Sequence, residues 1–355
     1  MIVTMIVRVC VDLLTSIGAH LSQRTLVLPA VVWFWLSVTS LAAQPLKRYQ
    51  FRRGLMGTQF TLTLYATDSL TASRASRAVS ARMDLLNQVM SDYQDGSEIN
   101  RLSETAGSGR WVPLSVDLFR VLAQAQTLAR LSDGRFDPTV GPLSLLWRRA
   151  VRRGEFPSPK QRRQGHRAVG YRLLELDSTT RSARLRRPGM RLDVGGIGQG
   201  FANDEAMRVL KQLGIQSALL DLGGDILISD APPEQAGWRV SIGSPETGDT
   251  ATLVLHNVAI TTSGDLYRHL DYRGKRYSHI MNPRSGLGLR HFVRATVAAP
   301  TGWQADALTK VFSVAGFRQS RRLIRRFPYV IVQVVERKRG RLHSWQSTPF
   351  TNQTN

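Results

Sequence analysis

Cysteine is all but missing. Across 355 residues there is one, Cys10, and it precedes the apolar run that dominates the N-terminus. A folded region without a thiol holds no disulfide framework, no cysteine-ligated zinc and no cysteine nucleophile. At this length none is needed, because the chain can bury one large core or two modest ones. Lysine is scarce too: 42 arginines and 6 lysines make up the 48 basic residues against 26 acidic ones, for a net charge of +22. Such an excess is the usual footprint of a nucleic-acid binder. Here the arginine clusters at 148–153, 162–167, 181–191 and 318–326 are dispersed and not interleaved with aromatics, as a single-strand stacking platform would require. The composition therefore reads as a solvated basic surface with no nucleic-acid partner, and it leaves attraction to an anionic cofactor or membrane association open.

Long hydrophobic runs are confined to one place. Residues 25–46 carry no charge and hold LVLPAVVWFWLSV followed by the small residues of SVTSLAAQ, with Arg24 just upstream. A basic flank, an apolar core and a small-residue site is the order of a secretory signal, with cleavage expected after Ala42. An uncleaved anchor is the alternative, although the apolar core is short for a span of about 20 residues. The expected organisation is a leader at 1–42, one domain at 43–340 and a polar tail at 341–355, in an exported, periplasmic protein with possible inner-membrane association.

The remainder mixes periods. FTLTLYA (60–66) alternates as a strand, whereas 73–90 and 116–132 place apolar residues at helical spacing. Further strands are expected at 190–194, 217–222, 238–242, 252–261, 292–299 and 328–335, with helices at 201–213 and 304–315 and a basic surface loop at 152–167. No regular βαβ period links them, so the fold class is α+β.

Three stretches could carry chemistry. LDVGGIGQGFANDEA (192–206) is a glycine-rich turn leading into a helix, a place where backbone amides can meet an anion. Its glycines fit neither GxGxxG nor a Walker loop, and there is no HExxH or GxSxG, which argues against nucleotide-fold and common hydrolase readings. DLGGDILI (221–228) sets two glycines between Asp221 and Asp225, a pattern that tight turns share. TTSGDLYRHLDYRGKRYSHIMNPRSG (261–286) offers hydroxyls, a hairpin tip at RGK and His279 before an Asn-Pro turn. An imidazole takes up a proton near neutral pH without a large shift.

Together with MGTQFTLTLYA (56–66), MSDYQDGSEINRLS (90–103), GRFDPTVGPLSLLW (134–147) and TVAAPTGWQADALTKVFSVAG (296–316), these stretches resemble the FAD:protein FMN transferase (ApbE) family in order, over roughly 51–335. The resemblance implies a single α+β, T-fold-related unit with a FAD cleft. It implies an enzyme, usually Mg²⁺-dependent, that moves FMN from FAD to a threonine hydroxyl of a partner protein, typically a membrane redox subunit, and releases AMP. Some relatives instead hydrolyse FAD or chiefly bind it. The matching positions put Met56 and Tyr93 against the flavin or adenine, and Arg135, Phe136 and Asp137 along the cofactor. Asp193 would hold a cofactor group, and the Met281 backbone would touch the flavin. Gly196, through its carbonyl, and Asp306 match the metal ligands, and His279 matches the base for the acceptor threonine.

Two positions depart from the family pattern. Gln199 replaces a charged residue after the glycine-rich turn. More consequentially, the hydroxyl expected four residues after Asp306 is Lys310, and Thr309 comes one residue early. On a helix Lys310 and Asp306 share a face. Either the ammonium meets the FAD diphosphate or pairs with Asp306 so that metal matters little, or Thr309 or water restores the metal site, or the chain binds flavin without transferring it.

Overall fold

The structure, a computed structural model, describes residues 44–243, 248–264, 269–338 and 340–350. The leader expected at 1–42 lies outside the described residues, among which no helix is long and apolar enough to cross a membrane.

Two-residue turns set the framework. Strands β1 (Lys47–Leu55) and β2 (Thr58–Ala66) join through Met56-Gly57, and β6 (Ala218–Leu222) and β7 (Asp225–Ile228) through Gly223-Gly224. All four turn residues have positive φ (47°, 75°, 68° and 95°), the type I′ geometry that matches strand twist. Gly223 donates its N–H to Gln59 O at 3.1 Å, so the two hairpin tips lie side by side. With β10 (Val258–Gly264), β15 (Val293–Ala299), β16 (Ile331–Lys338) and β17 (Arg341–Gln346) they form an eight-stranded antiparallel sheet in the order β1-β2-β6-β7-β10-β15-β16-β17. The α+β expectation holds.

Three helices cover one face: α1 (Ser69–Met90) over β1 and β2, α6 (Gly198–Gln212) over β6 and β7, and α7 (Gly302–Leu323) over β7, β10, β15 and β16. The other face is capped in its middle by the hairpin of β8 (Trp238–Ile242) and β9 (Ala251–Leu255), where Trp238, Val240 and Leu253 pack on Ile228, Ile260 and Ala298. Covered on both sides, β15 (VRATVAA) has all seven residues buried, the polar Arg294 and Thr296 included. A small satellite core lies apart. Trp147, on the inner face of α4 (Gly141–Arg153), stacks on Tyr277 at 5.6 Å, and Phe156 stacks on Tyr272 at 4.5 Å. That cluster grips the hairpin of β11 (His269–Tyr272) and β12 (Lys275–Ser278), whose Arg273-Gly274 tip is the expected RGK turn.

Four expectations need correction. The stretch 152–167 is not a loop: α4 runs to Arg153 and α5 (Pro159–Arg167) follows, started by a Ser158/Gln161 capping box. Residues 190–194 form no strand beyond a single bridge from Arg191 to Val140, since Leu192 and Asp193 donate their N–H groups to Ser103 Oγ and Pro138 O. The span 252–261 is broken into β9 and β10 at Asn257, where φ is 48°. The polar tail begins as a strand, because β17 pairs with β16 from Lys338↔Arg341 to Gln333↔Gln346.

Candidate active site

The site grows from the crossing of α6 and α7. A methyl on Gly200 would lie 2.1 Å from Gly302 O and 2.8 Å from Asp306 Cβ, so only glycine lets the helices approach this closely. Asp204 of α6 then caps α7, accepting from the N–H groups of Gly302 (2.7 Å) and Trp303 (2.9 Å). Burial pushes the Asp204 carboxyl up to about 6. The first turn of α6 follows the glycine-rich stretch, in which Gly195 donates to Asp193 Oδ1 at 2.8 Å.

Asp306 is fully buried, and both its oxygens are taken. Oδ2 accepts from the Gly200 N–H at 3.0 Å, and Oδ1 accepts from the Lys310 ammonium. Thr309 is also fully buried, and its hydroxyl donates to the Asp306 carbonyl at 2.7 Å. Lys310 keeps a quarter of its side chain exposed. Its stem would be 3.5 Å from a Cβ on Gly196, and Phe136 would be 3.2 Å away, so Phe136, Gly196 and Lys310 form one packed corner. Asp225, at the start of β7, lies close enough to Asp306 and Lys310 for their charges to act on it. Burial first, and Asp306 second, raise its carboxyl to about 7. Its Oδ1 has no partner. Burial pulls the Lys310 ammonium down, but Asp306 and Asp225 outweigh it and hold it above its ordinary value.

The expected Mg²⁺ ligands do not fit a divalent ion in this arrangement. One Asp306 oxygen faces an ammonium and the other a backbone N–H, the Thr309 hydroxyl is turned onto its own helix, and among the described residues no three Asp, Glu, His or Cys side chains converge.

A second cluster adjoins through Asp193. Arg148 Nη2 bridges Asp92 Oδ2 (2.6 Å) and Asp193 Oδ2 (3.0 Å), and its guanidinium lies 4.1 Å from the ring centre of Tyr93, which is 74% exposed. Tyr93 is thus an open aromatic face backed by a cation. Burial and then the Asp193 charge raise the Asp92 carboxyl.

His279 follows β12 and is exposed. The backbone on either side is pinned: Ser278 N–H donates to Leu289 O (2.8 Å), and Leu289 N–H to Ile280 O (2.9 Å). Met281 packs against the Trp147 cluster. Met56 sits on the hairpin tip beside Gly223, at the end of the sheet from which Asp225 emerges. Gln199 is half-buried in the first turn of α6.

Two expected site residues point elsewhere. Asp137 is buried and spends its carboxylate on the N–H groups of Thr139 and Tyr171 and the Thr139 hydroxyl, so it shapes the turn that presents Phe136. Arg135 reaches Ser132 O and Gln319 Oε1 (2.6 Å), away from the Lys310 corner. Sequence reasoning missed Arg148 because it sat in a basic run, and undervalued Asp225 because a Gly-Gly-Asp turn is common.

The ApbE family model matches residues 56–333. The chain belongs to the ApbE family. A protein of this family from Haemophilus influenzae, described as FAD:protein FMN transferase, is 30% identical over 272 residues, 74% of this chain and 79% of the relative. One of the same description from Treponema pallidum is 31% identical over 281 residues, 73% of this chain and 77% of the relative. Among solved ApbE structures, the Pseudomonas stutzeri flavinyl transferase in its apo form superposes with a TM-score of 0.76 at 25% identity, covering 85% of this chain and 95% of that one. The flavin transferase from Vibrio cholerae gives 0.75 at 23% identity, covering 86% and 99%.

Proposed function

We propose that this protein is an FAD:protein FMN transferase that moves FMN from FAD to a threonine hydroxyl of a partner protein and releases AMP. The observation that supports this most is the convergence, at one sheet end, of family-matched Gly196, Phe136 and Asp306 around a single cation, Lys310. A diphosphate repels a nucleophile, so transfer needs positive charge and aligned donors at the phosphates. Lys310, partly exposed beside Gly196, is the group placed to provide both, since its ammonium carries three donors. Tyr93, backed by Arg148, offers a stacking face for a ring of the cofactor, Asp193 a hydrogen-bond acceptor, and Met56, Gln199 and Met281 the remaining walls.

In the reaction, the threonine Oγ attacks the FMN-side phosphorus while its proton passes to His279. The new Oγ–P bond forms as the bond from that phosphorus to the bridging oxygen breaks, and AMP departs with that oxygen. His279 suits the role because it is exposed to an incoming protein yet carried on a pinned backbone.

The cell-side reading is an exported, periplasmic enzyme whose acceptor is a membrane redox subunit. It rests on the apolar leader, and N-terminal sequencing of the mature protein should begin at Ala43. The transferase reading is tested with FAD and a threonine-bearing acceptor. Flavinylation followed by mass spectrometry should require His279, with His279→Ala keeping FAD affinity within about threefold. An acceptor that stays unmodified while FAD turns over to FMN and AMP would favour a pyrophosphatase instead.

A further inference from the structure

The Lys310 corner contains one more carboxylate than a simple ion pair needs. Asp306 comes from α7 and Asp225 from the sheet, so the charges of two carboxylates act on the same ammonium from different elements, Asp306 alone in direct contact. The Asp225 backbone is firmly set: it pairs with Thr261 across β7 and β10, and its carbonyl accepts from Asn203 Nδ2 at 2.8 Å. Its residue is only 6% exposed, yet Oδ1 makes no hydrogen bond. A buried carboxylate oxygen without a donor is costly, and such a group persists where a ligand or a moving partner can meet it. An ammonium carries three donors and no acceptor. Lys310 now uses one of them on Asp306 Oδ1.

We propose that Lys310 is the resident cation of the transfer site, standing in for a divalent metal, and that Asp225 is the positioning residue that keeps its ammonium at the FAD diphosphate. The proposal rests on the transferase reading and deepens it. With FAD bound, the three donors divide between Asp306 Oδ1, Asp225 Oδ1 and a phosphate oxygen. Two carboxylates on separate elements fix the nitrogen from two directions, which a flexible four-carbon stem anchored by Asp306 alone does not achieve. Asp225 touches neither substrate nor the reacting atoms, and it acts through Lys310. The same arrangement explains why the Thr309 hydroxyl is spent on its own helix and why, among the described residues, no divalent ligand set is assembled.

The test compares wild type, Lys310→Thr, Asp225→Asn and the double variant, each in EDTA and in Mg²⁺, reading both FAD affinity by flavin fluorescence and FMN transfer to an acceptor peptide. Lys310→Thr restores the hydroxyl at the family's metal-ligand position. Wild type should bind FAD and transfer FMN in EDTA at rates within about twofold of those in Mg²⁺. Lys310→Thr should lose at least tenfold in FAD affinity and in transfer in EDTA, and recover part of both on adding Mg²⁺. Asp225→Asn should lower kcat about tenfold in EDTA with KM for the acceptor unchanged, and should have little further effect when combined with Lys310→Thr, since a positioning residue has nothing left to position. Wild-type activity that vanishes in EDTA and returns with Mg²⁺ overturns the resident-cation claim while leaving the transferase reading intact. Equal losses from Asp225→Asn in the wild-type and Lys310→Thr backgrounds make Asp225 merely structural and overturn its part. If Asp225→Asn fails to fold, Asp225→Ser is read in the same cycle. Tight FAD binding with no transfer in any condition would instead refute the transferase reading on which the proposal rests.

Discussion

Replacing Gly200 by alanine puts the helix crossing under the most direct strain. In an ordinary helix interior the change stabilises by roughly 0.5–1 kcal/mol, because glycine loses more backbone freedom on folding. Here the new methyl would lie 2.1 Å from Gly302 O, 2.5 Å from Gly302 C and 2.8 Å from Asp306 Cβ. Relaxed C···O contacts are about 3.3–3.6 Å, so the two helices would have to separate by about 1 Å. None of the three atoms belongs to the far end of a flexible side chain, and overpacking of this kind costs ~1–3 kcal/mol. The sign of the helix-propensity rule should therefore reverse, for a net loss of about 1–2 kcal/mol and a Tm lower by roughly 2–8 °C. The same separation stretches the bond from the Gly200 N–H to Asp306 Oδ2, so FAD affinity should fall with stability. Gly198 is the internal control: it lies in the first turn of the same helix, and a Cβ there meets nothing within 4 Å. Gly198→Ala should be neutral or slightly stabilising. Thermal unfolding and flavin-fluorescence titration of both variants check this, and a Gly200→Ala protein as stable as wild type with unchanged FAD affinity would mean that the crossing has room for a methyl.

Other outcomes follow from particular contacts. Glu205 is 2% exposed and accepts from Arg82, Arg120 and Arg208; burial pushes its carboxyl up, but the hydrogen bonds from Arg208, Arg82 and Arg120 outweigh this and bring it down to about 2. A depressed carboxyl stabilises the fold above its unfolded value near 4.5 and loses that contribution as pH falls towards 2, so Glu205→Gln should cost about 3 kcal/mol at pH 7 and flatten the acid limb of the stability curve measured in urea. Trp147 stacks on Tyr277 and donates Nε1–H to Gly286 O at 3.1 Å; Trp147→Ala should cost ~3–5 kcal/mol and loosen the β11–β12 hairpin before the main sheet, seen as faster amide exchange at 269–289 than at 293–299. Exchange that rises equally in both segments would contradict a separate satellite core.

The elements that were legible in the sequence share a cause. The turns at RGK and DLGGD are punctuated by residues that tolerate positive φ, and helices α1, α6 and α7 and α3 (Val116–Leu131) expose one polar and bury one apolar face. What escaped detection has no such signature. Helix α5 buries none of its residues, so PKQRRQGHR carries no apolar period and only the Ser158/Gln161 capping box marks its start. Strand β17 is a polar edge, exposed over its first four residues, and gains its structure from pairing with β16. Conversely, Met190, Leu192 and Val194 alternate as a strand would, yet each fills the core from a loop.

The site divides along the same line. Asp306 and Lys310 are one helical turn apart, so their pairing could be read from spacing alone. Asp225 comes near them from a strand distant in sequence, and Arg148 joins Asp92 to Asp193 across three separate segments; no local pattern announces either convergence. Arg135 and Asp137 matched by position but are directed by their own turn, whose backbone hydrogen bonds claim the Asp137 carboxylate. Position in a motif located the neighbourhood, and packing decided which side chains enter it.

Transfer of FMN to a partner's threonine at a corner built on Lys310 leaves a covalent mark that can be weighed. The most direct measurement is intact-mass analysis of a threonine-bearing acceptor incubated with FAD, EDTA and the purified protein. The expected product is an acceptor heavier by one FMN phosphoester, mapped to threonine, with AMP released in equal amount. An acceptor of unchanged mass, in EDTA and in Mg²⁺ alike, would contradict it.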